Sequence, residues 1–131
     1  MAKGLPRLLS IVLLSFFVGC ATHEGKLKDA EVRQLDHESL EALFSGQRIA
    51  EFKTVKGVAG IITYYPDNRQ VVQFAGIEDQ GRYRIEDGRL CTTWETIRKG
   101  EKCTTFYQIS DNYFELVDED GELYLSLTFL E

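Results

Sequence analysis

Large apolar residues alternate with polar ones over most of the chain after residue 48. Near the C-terminus, for example, every second residue from Leu123 to Phe129 is apolar. This period of two predicts strands that bury one face. Turn-forming pairs such as Asp87-Gly88 and Asp120-Gly121 recur about every ten to twelve residues, which is typical of an all-β meander. The pattern predicts a mainly β fold: an antiparallel meander of about eight strands, closed as a small barrel or packed as a sandwich.

One segment before the strands has a helical period instead. Asp36 to Ser45 begins with a residue that can cap a helix, and Gly46 follows where a left-handed C-terminal cap is favourable. The apolar side chains of this segment fall on one face: Leu40, Leu43 and Phe44. The sequence therefore predicts one short N-terminal helix that covers an end of the β-structure.

The first nineteen residues have the features of an export signal. Lys3 and Arg7 precede an apolar run from Leu8 to Val18 that only two serines interrupt. Crossing a bilayer takes about 20 apolar residues, whereas the apolar part of a secretory signal has about 7–15. Residues 1–19 are therefore predicted to be a signal peptide.

The end of this signal resembles the lipobox of bacterial lipoproteins. It reads Phe17-Val18-Gly19-Cys20, in which Gly19 and Cys20 fit the pattern while Phe17 and Val18 depart from the usual residues. The resemblance implies that Cys20 is diacylated and becomes the new N-terminus, with ordinary secretion and cleavage just beyond Cys20 as the alternative. Two or more acyl chains anchor a protein stably. Ala21 follows the cysteine, which by analogy favours the outer membrane, facing the periplasm.

The chain is then expected to continue as two further regions. Residues 20–34 are polar and charged, without an apolar period, and are predicted to form the lipidated N-terminus and a flexible tether. Residues 35–131 are predicted to form one β-rich periplasmic domain.

The two remaining cysteines, Cys91 and Cys103, are predicted to form a disulfide, since an even pair in an exported protein is usually bonded. Paired across a hairpin, they would place Trp94 opposite Gly100 and leave residues 96–98 as the loop. Their spacing matches neither a C-x-x-C redox motif nor half of a zinc site, and no histidine is near in sequence.

A family resemblance rests on several of these motifs. The Tyr64-Tyr65-Pro66-Asp67 turn, the Gly81-Arg82-Tyr83 strand, and Cys91-Thr92-Thr93-Trp94 followed by Cys103 are similar to small proteobacterial periplasmic proteins and lipoproteins of unknown function. The similarity spans roughly Leu35 to Tyr124. It implies a β-rich periplasmic domain and carries over no catalytic residue.

Charge and residue chemistry narrow the classes of function. The net charge is −6, and the two charges before Cys20 are both positive, so the exported part is more acidic still. An acidic surface repels phosphate backbones, so no nucleic-acid partner is expected. The only histidines are His23, in the predicted tether, and His37, at the exposed start of the predicted helix. A triad with a histidine base is therefore not expected, and no catalytic residue is predicted.

No metal or cofactor is predicted either. Residues 118–122 are rich in carboxylates, but aligning Gly121 with the glycine of a calcium loop puts Leu116 and Leu127 at ligand positions. The segment is interpreted as a solvated turn. Paired carboxylates for sugar cleavage are not indicated, since the acidic residues lie at turns and outward strand positions.

These observations predict a membrane-anchored, non-enzymatic envelope protein. The favoured hypothesis is a binding or accessory module for another envelope protein. The alternative is a carrier or sensor of a small apolar ligand in the barrel. A barrel of about eight strands is either filled by its own side chains or holds one small ligand, so the occupancy of the interior distinguishes the two.

Overall fold

The computed structural model describes residues 21–131. The predicted signal peptide of residues 1–19 and the predicted lipidation site Cys20 lie outside the described residues. The helices are α1 (His23–Asp29) and α2 (His37–Leu43). The strands are β1 (Arg33–Gln34), β2 (Arg48–Thr54), β3 (Ala59–Tyr64), β4 (Arg69–Phe74), β5 (Ile77–Glu86), β6 (Arg89–Trp94), β7 (Lys102–Gln108), β8 (Tyr113–Val117) and β9 (Leu123–Leu130). Neither helix in this part of the chain has the length and apolar character needed to cross a membrane.

Strands β2 to β9 form a closed antiparallel barrel. Each pairs with the next along the chain, and β9 pairs back with β2, with Phe52 opposite Leu127. The two residues of β1 add to the free end of β7, where Arg33 lies opposite Gln108. This confirms the mainly β prediction with about eight strands and decides for the barrel over the sandwich. Closure gives each of the eight strands a neighbour on both sides, which removes a long open edge as a template for aggregation.

The apolar residues that alternate along the strands face the inside of the barrel, and the polar residues between them face the outside. Along β9, Leu125, Leu127 and Phe129 are buried in the core while the residues between them are only partly buried. The turns follow their residue chemistry: Asp87 and Gly88 both have positive φ (52° and 74°), the combination that a tight two-residue hairpin requires.

The predicted helix is α2, and it closes one end of the barrel. The Asp36 carboxylate caps it by accepting the Ser39 N–H at 2.8 Å. Leu40 is fully buried, and the Phe44 ring lies 5.0 Å from that of Tyr64. Six aromatic side chains pack together at this end: Phe44, Tyr64, Tyr83, Phe106, Phe114 and Phe129.

The end of this helix differs from the prediction. The helix stops at Leu43, and Phe44 takes the C-cap position with its N–H donating to the Leu40 carbonyl. Gly46 is not among the residues with positive φ, so the predicted left-handed cap is wrong. The chain turns one residue earlier, where the Phe44 side chain enters the barrel.

The predicted flexible tether is also wrong, because residues 23–29 form α1 against the barrel wall. Thr22 caps this helix by accepting the Gly25 N–H at 3.0 Å. Leu27 is 7 % exposed and packs against Tyr107 and Val117 on the outer face of the barrel. A short polar helix with a single buried residue has no apolar period in its sequence. The helix can therefore be recognised only from the barrel surface on which Leu27 packs.

For the hairpin that carries the cysteines, the predicted disulfide is confirmed, but the predicted pairing at the tip is wrong. Cys91 lies opposite Cys103 and the two are bonded, yet strand pairing stops one step further on. Trp94 pairs with Gly81 of β5 instead of Gly100. A Cβ on Gly81 would lie 2.9 Å from the Trp94 ring, so the tryptophan does cover a glycine, but on the preceding strand. Residues 95–101 form a longer loop.

Candidate functional site

The barrel is filled at one end and hollow at the other. The aromatic cluster occupies the end closed by α2. Towards the other end is a cavity of about 270 Å³. We call that end the mouth, and the connections at it are residues 55–58, 75–76, 95–101 and 118–122.

The wall of the cavity is mainly apolar and carries no ionised side chain among the described residues. Its apolar and aromatic members are Phe52, Val58, Ile62, Tyr64, Val72, Phe74, Leu90, Trp94, Ile97, Leu116, Tyr124 and Leu125. The remaining lining residues are polar: Thr54, Gln70, Thr92 and Thr104. Moving a charged group into such a site is costly unless it is paired. The cavity is therefore suited to a neutral molecule.

Gln70 is the most informative of the polar groups. The residue is fully buried, and its side-chain Nε2 donates to the Thr93 carbonyl at 3.2 Å. Its Oε1 has no hydrogen-bond partner among residues 21–131. An unsatisfied buried acceptor costs about 1–3 kcal/mol. A hydroxyl or amide N–H that reached this oxygen would remove that cost.

Tyr64 lies where the cavity meets the aromatic cluster. Burial raises the pKa of its phenol well above the usual value, with smaller contributions from Tyr124 and Tyr83. The phenol is therefore neutral at any physiological pH, and its hydroxyl is a potential donor to a ligand acceptor.

The loop of residues 95–101 is fixed over one side of the mouth by a buried carboxylate. Asp79, which is 4 % exposed, accepts the N–H groups of Thr96 and Ile97, both at 3.0 Å. Desolvation raises the pKa of Asp79, but these and further hydrogen bonds outweigh it and hold the pKa below the usual 3.8. The ionised carboxylate thereby positions Ile97, which lines the cavity.

A second contact fixes the same loop to the opposite wall. Arg98 donates to the Tyr124 hydroxyl at 2.7 Å and to the carbonyl and hydroxyl oxygens of Thr92. The ammonium of Lys102 lies 4.4 Å from the centre of the Tyr124 ring. The loop is thus held at two points, and the mouth has a defined shape.

The histidines singled out in the sequence lie away from this cavity. The ring of His23 contacts the Glu115 carboxylate on the outer wall, in α1 and not in a tether. His37 is exposed, lies 2.9 Å from Glu41, and accepts the Gly88 N–H at 3.3 Å. Neither side chain lines the cavity.

The cysteines and the acidic turn also lie outside the cavity. Sulfur atoms of Cys91 and Cys103 lie close to the Glu101 carboxylate, as the ligands of a metal would. The two sulfurs are bonded to each other, however, which removes the thiolates that a metal needs. In the acidic turn, the Asp118 carboxylate accepts the N–H groups of Asp120 and Glu122 and so closes the turn.

Sequence reasoning missed Gln70, which lines the cavity, and Asp79 and Arg98, which fix the loop at its mouth. A signal existed for the first two. Gln70 is in phase with Val72 and Phe74 along β4, and Asp79 is in phase with Tyr83 along β5. A polar residue in the buried phase of a strand marks either a structural hydrogen bond or a ligand contact.

Comparison with protein-family models, curated proteins and solved structures gave no significant match. The function is therefore argued from the geometry of the barrel.

Proposed function

We propose that the protein is a non-enzymatic envelope lipoprotein that holds a small, neutral, mainly apolar ligand in the barrel cavity. The observation that carries this proposal is the apolar hollow, whose lining residues include Gln70 with its unpaired Oε1. The sequence favoured an accessory module over a ligand carrier, and the cavity leads us to propose the carrier first. The lipid anchor at Cys20 and the location at the periplasmic face of the outer membrane remain part of the proposal.

The size of the cavity limits the ligand. A dry cavity of about 150 Å³ holds benzene, and sites for drug-sized ligands begin at about 300 Å³. At about 270 Å³, this cavity fits a molecule larger than benzene, such as a medium-length alcohol or a small aromatic alcohol. The ligand's donor would lie at Gln70 and its apolar body would extend towards the mouth.

The free-energy cost of an unfilled cavity also supports a ligand-binding role. At roughly 24 cal/mol per Å³, an enclosed void of this volume would cost on the order of 6 kcal/mol. That is a large part of the 5–15 kcal/mol by which a typical domain is stable. The opening at the mouth reduces the cost, but larger side chains along the wall would remove it.

The direct test uses two ligands that differ only in the donor. 1-Octanol and heptyl methyl ether have the same atoms, but only the alcohol can donate to Gln70. We expect both to raise the unfolding temperature of the protein, since binding to the folded state alone stabilises it. The alcohol should bind about tenfold more tightly, which corresponds to 1.4 kcal/mol, and Gln70→Leu should abolish that preference.

A matched pair of variants tests the place of binding. Val72 lines the cavity, whereas its neighbour Val71 points away from it. Val72→Trp should fill the cavity and remove the stabilisation by 1-octanol, while Val71→Trp should keep it. The proposal fails if neither ligand stabilises the wild-type protein, or if Val72→Trp binds as well as Val71→Trp.

The accessory-module hypothesis has a specific observation of its own. Ile49 and Leu130 form an exposed cross-strand pair on the outer wall, 38 % and 42 % exposed, and Ile61 on β3 is 39 % exposed. A stable interface needs about 800 Å² from each partner, more than these side chains supply. Native mass spectrometry separates the two functions: a copurifying small mass supports the carrier, and an empty barrel that binds an envelope protein through Ile49 supports the module.

A further inference from the structure

The described chain begins at the mouth end of the barrel. Thr22 packs against Gly121, and the Glu24 N–H donates to the Gly121 carbonyl at 2.9 Å. Gly121 belongs to the β8–β9 turn, one of the four connections at the mouth. From there α1 runs along the wall towards the other end, where Gln34 of β1 pairs with Tyr107.

This placement restricts where a lipid on Cys20 can lie. Thr22 follows Cys20 by two residues, and two residues of chain span at most about 7 Å. A flexible segment of residues 21–34 would instead span up to about 45 Å and leave the orientation of the barrel free. Because α1 is packed on the barrel through Leu27, that freedom is lost and the anchor is held at the mouth end.

Part of the rim of the mouth is apolar, while Glu95, Lys99 and Glu101 of the β6–β7 loop and the carboxylates of the β8–β9 turn are charged. Of the eight exposed large hydrophobic side chains in residues 21–131, three lie in the mouth connections, Val55 (68 % exposed), Val58 (42 %) and Ile97 (39 %), and Ile77 (48 %) is the first residue of β5 beside them. At the other end, Ile109 (41 %) lies in a turn, and Ile49 and Leu130 form an outer-wall pair near that end, while Ile61 lies on the outer wall of β3. Exposed apolar side chains at the same end of the barrel as a lipid anchor could be buried in the bilayer that holds the anchor.

We propose that this rim docks on the bilayer that holds the acyl chains of Cys20, so that the cavity opens onto the membrane. The inference rests on the proposed lipid anchor and does not require a ligand in the cavity. If the barrel does bind a ligand, the docked mouth lets an apolar molecule pass between the acyl chains and the cavity without crossing water.

The β8–β9 turn limits how deeply the rim can enter. Its carboxylates lie at the same end: Asp118, Glu119, Asp120 and Glu122. Burying these charges in hydrocarbon is unfavourable, so this side of the rim remains at the level of the headgroups. Lys56 lies between the two apolar residues of the β2–β3 loop, where a cation near the headgroups is favourable.

The test measures which end of the barrel faces the lipid. The full chain is produced with its own N-terminus and reconstituted in phosphatidylcholine vesicles whose acyl chains carry bromine, a quencher of fluorescence. Val58→Cys introduces one reactive thiol at the rim, because Cys91 and Cys103 are bonded. Ile109→Cys is the matched control, since the two residues are equally exposed at opposite ends. Each thiol carries the same small fluorophore.

We expect bromine to quench the label at residue 58 several-fold more strongly than the label at residue 109. Leu27→Ala in the Val58→Cys background should reduce that difference, because it weakens the packing of α1 and so lets the orientation of the barrel vary more. Equal quenching at the two sites, or stronger quenching at residue 109, would overturn the proposal. An intact mass that shows Cys20 without acyl chains would overturn it as well, whatever the octanol experiment shows about the cavity.

Discussion

The packing of α1 on the barrel makes one prediction that can be worked out in detail. Leu27 is the buried apolar residue of α1, in contact with Tyr107 and Val117. Polar contacts add to it: the Tyr107 hydroxyl donates to Glu24 at 2.8 Å. A helix of seven residues is not stable in isolation. We therefore expect Leu27→Ala to make α1 open more often while the barrel stays folded.

The size of the effect follows from the surroundings of Leu27. Replacing a buried leucine by alanine costs about 2–5 kcal/mol. The cluster around Leu27 is small and lies at the surface, so it can close over the missing atoms, and we expect a loss of about 2 kcal/mol. Since 1.4 kcal/mol is a factor of ten, the opening of α1 should become about thirtyfold more frequent.

Native-state hydrogen exchange measures this opening directly. The informative amides are those of Lys26 and Ala30, which donate to the Thr22 and Lys26 carbonyls at 3.1 Å and 3.0 Å. Lys28→Ala is the control, because its side chain is exposed and makes only a long ion pair with Glu24. The reasoning is refuted if the α1 amides of Leu27→Ala keep their wild-type protection, or if the barrel strands lose as much protection as α1.

Three further predictions concern the barrel itself. Replacing Cys91 and Cys103 by alanine should cost about 3 kcal/mol in urea unfolding, because a loop of this length is no longer closed in the unfolded chain. Gly81→Ala should cost about 3 kcal/mol or more, because the new Cβ would lie 1.9 Å from the Thr93 carbonyl oxygen. Asp79→Asn should lower stability at neutral pH by about 1–3 kcal/mol, because the two loop N–H groups lose a charged acceptor.

The pH dependence of stability in the Asp79→Asn variant tests whether the Asp79 carboxylate stabilises the fold. The pKa of Asp79 is lower in the folded protein than its usual 3.8, so the carboxylate stabilises the fold at any pH above that value. This stability is lost as the pH falls through the depressed pKa. The difference in unfolding free energy between wild type and Asp79→Asn should therefore be constant above about pH 5 and shrink below pH 3.8. A difference that grows with acid would contradict the argument.

The other two predictions have their own checks. Gly46→Ala is the control for Gly81→Ala, since Gly46 has no atom near its added Cβ and no positive φ, and it should be nearly neutral. For the disulfide, reducing the wild-type protein should lower its urea midpoint to that of the double-alanine variant. A reduced protein as stable as the oxidised one would show that the bond contributes nothing.

Local patterns in the sequence determined the class of fold. The alternation in β9, the tight turn at Asp87-Gly88 and the cap at Asp36 each depend on residues within one element and its turn. Such features predict strands, hairpins and one helix because side-chain direction and backbone preference repeat over short distances. The pairing of Cys91 with Cys103 is of the same kind, since both lie in one hairpin.

Only the tertiary structure decided what the barrel contains and how α1 is held. Trp94 covers Gly81 because β5, not β7, is its neighbour at that height. Gln70 is buried with one acceptor unpaired because the groups around it, such as the Thr93 carbonyl, come from strands distant in sequence. Leu27 is buried because Tyr107 and Val117 happen to face it. These contacts are long-range, and whether inward side chains fill a barrel depends on how the volumes of all eight strands add up, which no local pattern records.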